Sequence, residues 1–206
     1  MFTGLVQAMG TVRDTNRTEQ GLRLVIDPMG WDHQPAPGDS IAVDGCCLTV
    51  AGEPSDSAWV FQAVPETLTK TTLGDWAAGR GVNLEHAATL QTLLGGHLVQ
   101  GHVDGVGRVL HVPDPAASDW RVRIAPGEAC MPYLVPKGSV CVSGVSLTIA
   151  ALDAQAGWFE VALIPETLAR TNLAALSAGA TVNIECDPIG KQIVEYLRHY
   201  QQQPGA

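Results

Sequence analysis

The chain repeats itself, and this constrains its fold more than any other feature, because whatever architecture one half adopts the other must adopt as well. Residues 4–12 (GLVQAMGTV) align with residues 101–109 (GHVDGVGRV), sharing two glycines and the closing valine. Residues 37–50 (PGDSIAVDGCCLTV) align without a gap to 136–149 (PKGSVCVSGVSLTI), with a proline, serine, valine, glycine, leucine and threonine in common. Pro65-Glu66-Thr67-Leu68 returns as Pro165-Glu166-Thr167-Leu168, and Val82-Asn83-Leu84-Glu85 as Val182-Asn183-Ile184-Glu185. Two copies of about 95 residues, each large enough for a small core, predict two tandem domains. The paired glycines of Leu94-Gly95-Gly96-His97 mark the joint, giving units at residues 1–97 and 98–187 and a separate tail at 188–206.

Within each copy the apolar runs are short and β-rich. Ile41-Ala42-Val43, Leu48-Thr49-Val50 and Trp59-Val60-Phe61 are matched by runs at 140–142, 147–149 and 158–163, with Gly, Pro, Asp and Ser between them. Such spacing, with few helical stretches, predicts an all-β chain of two small Greek-key barrels or sandwiches. PETL followed by Thr-x-Leu predicts one short helix per copy, with Thr hydroxyls suited to its ends. The tail (KQIVEYLRHYQQQ, residues 191–203) has no counterpart in the first copy and places Ile193, Val194, Leu197 and Tyr200 on one helical face. That face must be buried on the barrels or against the same helix of neighbouring subunits.

Composition narrows the function. A net charge of −9 and a pI near 5.0 repel phosphate backbones and anionic membranes, which excludes nucleic acid as a natural partner. No apolar run reaches the roughly 18 residues of a membrane span, and residues 1–6 lack a basic leader, so a cytoplasmic location is expected. The five cysteines, an odd number in a chain of 206 residues, argue for reduced thiols.

Metal and nucleotide chemistry find little support. No C-x-x-C or H-E-x-x-H occurs, and His97 and His102, five apart, share neither a helix face nor a strand face. Gly101, Gly105 and Gly107 lack the third glycine of a dinucleotide loop, since Leu110 stands there; they read as turn glycines. No metal and no cofactor is therefore expected. On a strand, adjacent Cys46 and Cys47 point to opposite faces, so one can line a pocket while the other fills the core. Ser146 and Thr148 share a face. Taken singly, these residues are better explained as small core hydrophobes and β-surface polar groups. The duplication changes that balance: Cys47 aligns with Ser146, Thr49 with Thr148, Leu5 with His102 and Gly38 with Lys137. Two pocket frames with exchanged polar groups suit two similar molecules in unequal roles.

The start MFTGLVQAMGTV, the pair GCCLTV and GVSLTI, both PETL segments and GGHLVQGHVDGVG together resemble the riboflavin synthase family, across both copies and the tail. The resemblance implies two six-stranded barrels, each holding one 6,7-dimethyl-8-ribityllumazine, and a homotrimer formed through the C-terminal helix. It implies a transferase reaction that moves a four-carbon unit between two lumazines, giving riboflavin and 5-amino-6-(ribitylamino)uracil without metal or redox cofactor. The first site implied comprises Gly4, Leu5, Val6, Cys47, Leu48, Thr49, Gln62, Ala63, Val64, Pro65, Glu66 and Thr67. The second comprises Gly101, His102, Val103, Ser146, Leu147, Thr148, Ile164, Pro165, Glu166, Thr167, Leu168 and Ala169, with Lys137 reaching in from a neighbour. For proton transfer and nucleophilic addition the resemblance favours His102, Ser146 and Thr148 on one side and Cys47 on the other, with Asp187 supporting.

Two rival readings stand beside this one. A lumazine-binding or flavin-binding carrier or optical protein would keep the barrels without turnover; polar residues in both implied sites count against it. A flavin-dependent reductase barrel would need a nucleotide-phosphate loop, and the sequence has none.

Overall fold

The computed structural model describes residues 1–55, 57–114, 117 and 119–201. The first copy contains β1 (Ala8–Thr18), β2 (Gly21–Asp27), β3 (Ser40–Val43), β4 (Cys46–Thr49), β5 (Trp59–Ala63), α1 (Pro65–Lys70) and β6 (Gly81–His86). The second repeats the series as β7 (Gly105–His111), β8 (Trp120–Ala125), β9 (Ser139–Val142), β10 (Val145–Asp153), β11 (Trp158–Leu163), α2 (Pro165–Arg170) and β12 (Thr181–Cys186), followed by α3 (Pro188–Gln201). All strand pairs are antiparallel. The second copy closes into a barrel in the order β10-β11-β8-β7-β12-β9, and the first has the equivalent order β4-β3-β6-β1-β2-β5. Its final seam, between β4 and β5, narrows to the single bridge Val50–Phe61 beside an Ala51 N–H to Val60 hydrogen bond of 2.7 Å.

The strands follow from alternation. In β2 the residues Leu22, Leu24 and Ile26 are buried between partly exposed Arg23, Val25 and Asp27, and in β8 Val122 and Ile124 play the same part. A register shift between Val12 and Asp14 in β1 recurs between Val109 and His111 in β7, where an extra residue coils the strand toward closure. Each helix starts on the proline of its PETL segment, and Thr71 and Thr171 accept the Leu73 and Leu173 N–H groups of the 3-10 turns that follow, at 3.3 Å.

Two hairpin turns meet back to back and join the barrels. Asp44-Gly45 and Ser143-Gly144 all have positive φ, the conformation of a tight two-residue hairpin. A Cβ on Gly45 would come within 2.6 Å of the Gly144 nitrogen, so only glycine permits this approach. Around the turns, Asn83 Nδ2 donates to the Ser143 carbonyl and Asn183 Nδ2 to the Asp44 carbonyl, both at 2.8 Å. Asn172 Nδ2 donates to Asp44 Oδ1 at 2.9 Å, which ties the second copy's 3-10 turn to the first barrel. Burial pushes the Asp44 carboxyl up to about 6, against the pull of its Asn83, Arg80 and Asn172 donors.

Helix α3 is attached at its root and along one flank only. Lys191 pairs with Asp104 at 2.9 Å, and Tyr133 and Arg198 both contact Glu195. Ile189, Ile193, Tyr196, Leu197 and Tyr200 remain exposed, a continuous apolar stripe on the outer face. No helix among the described residues is long and apolar enough to cross a membrane.

Candidate active site

Two small cavities occupy equivalent places in the two barrels. One, of about 230 Å³, is lined by Cys46, Cys47, Glu66, Thr67, Lys70, Thr71, Gly101, His102 and Val103. The other, of about 260 Å³, is lined by Gly4, Leu5, Val6, Val145, Ser146, Glu166, Thr167, Arg170 and Thr171. Each pairs the second strand of a back-to-back hairpin (β4 or β10) with the helix of the same barrel (α1 or α2). Its third wall comes from the other copy.

That third wall corrects the expected grouping of residues. Gly4, Leu5 and Val6 do not join Cys47, and Gly101, His102 and Val103 do not join Ser146; the segments are exchanged. The Ser146 N–H donates to the Gly4 carbonyl at 2.7 Å, and the Cys47 N–H to the Gly101 carbonyl at 2.9 Å. Val6 packs on the second barrel's core and Val103 on the first. The cause is local. Both segments precede the first strand of their own copy, and Phe2 pairs with Val99 across the joint, so each is laid over the opposite barrel before its chain turns home. Gly4 and Gly101 sit at φ +72° and +81°, and a Cβ on either would strike Ser146 Cβ at 2.7 Å or Cys47 Cβ at 2.5 Å.

The exchange also reassigns the histidines. His102 shares the first cavity with Cys47, whereas the partner of Ser146 is His97, whose Nδ1 forms a hydrogen bond with Ser146 Oγ at 2.7 Å. Burial holds the His97 imidazole below its usual range, toward the neutral form able to take a proton; the nearby Asp187 carboxylate opposes this weakly. Its Nε2 is buried without a hydrogen-bond partner among the described residues. A neutral imidazole on a serine hydroxyl is an arrangement for proton transfer. The other cavity offers a partly exposed thiol, Cys47, beside His102 and Lys70.

Other expected site residues divide into those near the cavities and those away from them. Glu66, Thr67, Glu166 and Thr167 line them as expected. Leu48 and Ala63 are core residues; Thr49, Gln62, Val64, Pro65, Thr148, Ile164 and Pro165 are exposed and line neither small cavity, and Leu147 packs partly on the second core. Leu168 and Ala169 face a different and larger cavity, of about 630 Å³, at the junction of the barrels with Met9, Arg80 and Asn172. Volume alone does not make it the active site, because its lining includes neither Cys47 nor Ser146 and no histidine. Lys137 is exposed at a positive φ and lines neither small cavity. Asp187 caps α3, accepting the Ile189 N–H at 2.8 Å.

Among the residues at the two cavities that the expected sites did not include are His97, Lys70 and Arg170, besides Cys46, Thr71, Val145 and Thr171. Lys70 and Arg170 occupy the same position after the two PETL segments, a signal visible in the duplication. His97 has no aligned partner in the first copy, so the repeat could not single it out.

Residues 3–87 and residues 100–187 each match the family model of the lumazine binding domain, which defines the class as a tandem pair of such domains. Riboflavin synthase of Mycobacterium tuberculosis strain H37Rv is 40% identical over 200 residues, covering 96% of this chain and 98% of that protein. Those of Chlamydia pneumoniae and Bacillus subtilis strain 168 are 37% and 36% identical, each over 96% of this chain and over 96% and 90% of their own length. The chain belongs to the riboflavin synthase family of enzymes. Among solved structures, LumP complexed with riboflavin superposes with a TM-score of 0.81 over 90% of this chain and 99% of that one. LumP complexed with 6,7-dimethyl-8-(1'-D-ribityl) lumazine gives 0.79. At 24% identity this likeness shows the fold.

Proposed function

We propose that the protein disproportionates two molecules of 6,7-dimethyl-8-ribityllumazine into riboflavin and 5-amino-6-(ribitylamino)uracil by transfer of a four-carbon unit. The observation that carries this reading is the pair of equivalent cavities with unlike chemistry, Ser146 with His97 in one and Cys47 with His102 in the other. One lumazine has to lose a proton from its C7 methyl while the other is attacked at C7. Unequal polar groups around two like ligands serve that division of labour. We assign proton transfer to the Ser146–His97 pair and support of the opposite ligand to Cys47 and His102, with Thr148 on the same strand as Ser146 and Asp187 acting on His97 through its charge.

Each cavity is smaller than the roughly 300–1,000 Å³ usual for ligand sites, which favours completion by a second surface. The exposed stripe of α3 supplies a way to bring that surface in: a homotrimer held by this helix, with a Cys47 cavity of one subunit facing a Ser146 cavity of the next. Holding two reactants in that pose contributes on the order of 7–11 kcal/mol, a large part of what the reaction needs from the protein. In this reading the protein works in the cytoplasm and the catalytic units are residues 1–97 and 98–187, with residues 188–206 serving assembly.

A second reading is a non-catalytic lumazine or flavin carrier, which would keep the fold that this chain shares with LumP complexed with riboflavin. Incubation of the purified protein with the lumazine separates them. Riboflavin should accumulate at one molecule per two lumazines consumed; binding with no product would establish the carrier.

A further inference from the structure

Two buried carboxylates, Glu85 at the end of β6 and Glu185 at the end of β12, line neither small cavity and are only 4% and 2% exposed. Glu85 Oε1 accepts the Thr3 N–H at 2.6 Å and the Thr3 hydroxyl at 2.7 Å, and its Oε2 accepts the Gly4 N–H at 3.0 Å. Glu185 accepts the Gln100 and Gly101 N–H groups at 2.6 and 2.9 Å. In both places the glycine so held presents its carbonyl to the opposite barrel, Gly4 to Ser146 and Gly101 to Cys47. The next anchors along the chain are the Gln7 N–H on the Leu84 carbonyl and the Asp104 N–H on the Ile184 carbonyl, at 2.9 and 2.8 Å. Leu5 and Val6, or His102 and Val103, thus lie between two backbone anchors, with Val6 and Val103 packed on the opposite cores and the Leu5 N–H donating to Thr3 Oγ1 at 3.2 Å.

We infer that Glu85 and Glu185 are positioning residues that act across the barrels, Glu85 setting the Ser146 cavity and Glu185 setting the Cys47 cavity. Both oxygens of each carboxylate accept a hydrogen bond from the segment it holds, and neither glutamate lines a small cavity, so we assign them no role as bases. Their burial is costly: desolvation raises Glu85, and raises Glu185 to about 7 despite the N–H groups that favour the charge. A position needed only to fill the core would be served by an apolar neighbour like Leu84 or Ile184. What the charge supplies is two acceptor oxygens for two successive N–H groups, which no apolar or amide side chain provides.

The inference deepens the proposed lumazine site and rests on it for the ligand, but the geometry has its own readout. Cys47 is the one cysteine of the five that is not buried, so its alkylation by iodoacetamide, followed by peptide mass spectrometry, reports on the first cavity. Without ligand, Glu185→Gln in the full-length protein should speed Cys47 alkylation because Gly101 no longer covers it, and Glu85→Gln should leave the rate as in the parent. With riboflavin as probe, protection of Cys47 should require about ten-fold more ligand or higher in Glu185→Gln, consistent with the loss of a charged hydrogen bond. In Glu85→Gln protection should persist while equilibrium dialysis shows one site per chain weakened. If Glu185→Gln does not fold, Gly101→Ala, which drives a methyl onto Cys47 without touching the carboxylate, should reproduce the effect. Riboflavin giving no protection in the parent would overturn the ligand reading and leave the ligand-free rates to decide the positioning. Equal rates in both variants and the parent, or a Glu85 variant that opens Cys47, would overturn the positioning itself.

Discussion

The two cavities have the same frame and different contents. Both consist of a β-hairpin strand, a PETL helix bearing a cation at its end, and a glycine segment delivered from the other copy under the grip of a buried glutamate. Inside, one carries a thiol and the other a hydroxyl bonded to an imidazole. Duplication has separated what places a ligand from what acts on it. The frame must be kept in both copies because the barrels depend on each other for a wall; the contents are free to diverge because two ligands need not be treated alike.

The comparison breaks most visibly if the contents are changed. Ser146→Ala and His97→Gln should each lower kcat by about 10²–10⁴, the range for loss of a positioned acid or base, with lumazine binding retained. Cys47→Ser should impair turnover less, since a hydroxyl still fills the place. Steady-state kinetics with parallel fluorescence titration checks the order. Unchanged rates in all three variants would show that neither cavity holds the chemistry.

Removing what brings the cavities together should have the next largest effect. A chain ended after Pro188 lacks the exposed stripe of Ile189, Ile193, Tyr196, Leu197 and Tyr200 but keeps all twelve strands. It should sediment as a smaller species with an unchanged β signal in far-UV circular dichroism, bind lumazine weakly and lose most of its riboflavin formation. A truncated protein that remained assembled and active would remove α3 from the account.

The smallest effect concerns the frame. Glu185 is raised to about 7 and Asp44 to about 6, above their unfolded values near 4, so the folded state holds extra protons and stability falls as pH rises through 7. His33 and His97 are lowered, which acts in the opposite direction while the unfolded imidazoles titrate around 6.5 and so offsets part of this loss. Between pH 6.5 and 7.5 the unfolding midpoint of the parent should therefore fall by about 2 °C relative to that of Glu185→Gln, which lacks the titrating group. A parent that gains stability relative to Glu185→Gln over this interval would refute the assignment.

Much of this was legible in the sequence. Alternation in short apolar runs pointed to β3–β5 and β9–β11, the PETL repeats to α1 and α2, and the repeated motifs to Cys47, Ser146 and His102, which line the two small cavities. What alignment could not reveal was which barrel each segment serves. It assigns a residue to a copy, and Gly4 and Gly101 lie in stretches only a few residues long whose direction is fixed by long-range hydrogen bonds to Glu85 and Glu185. The repeated Asn and Glu of Val-Asn-x-Glu were in plain view. Their partners, up to 139 residues away for Asn183 and Asp44, were not.

The central claim is that a Cys47 cavity of one subunit works with a Ser146 cavity of another, and subunit mixing tests it most directly. Ser146→Ala and Cys47→Ser chains, each impaired alone, can be co-expressed with different tags so that only hybrid oligomers are purified. Some interfaces in those hybrids then join an intact Cys47 cavity to an intact Ser146 cavity. Riboflavin formation well above the sum of the two parents is the predicted result. Hybrids of confirmed mixed composition that make no more riboflavin than that sum would contradict it.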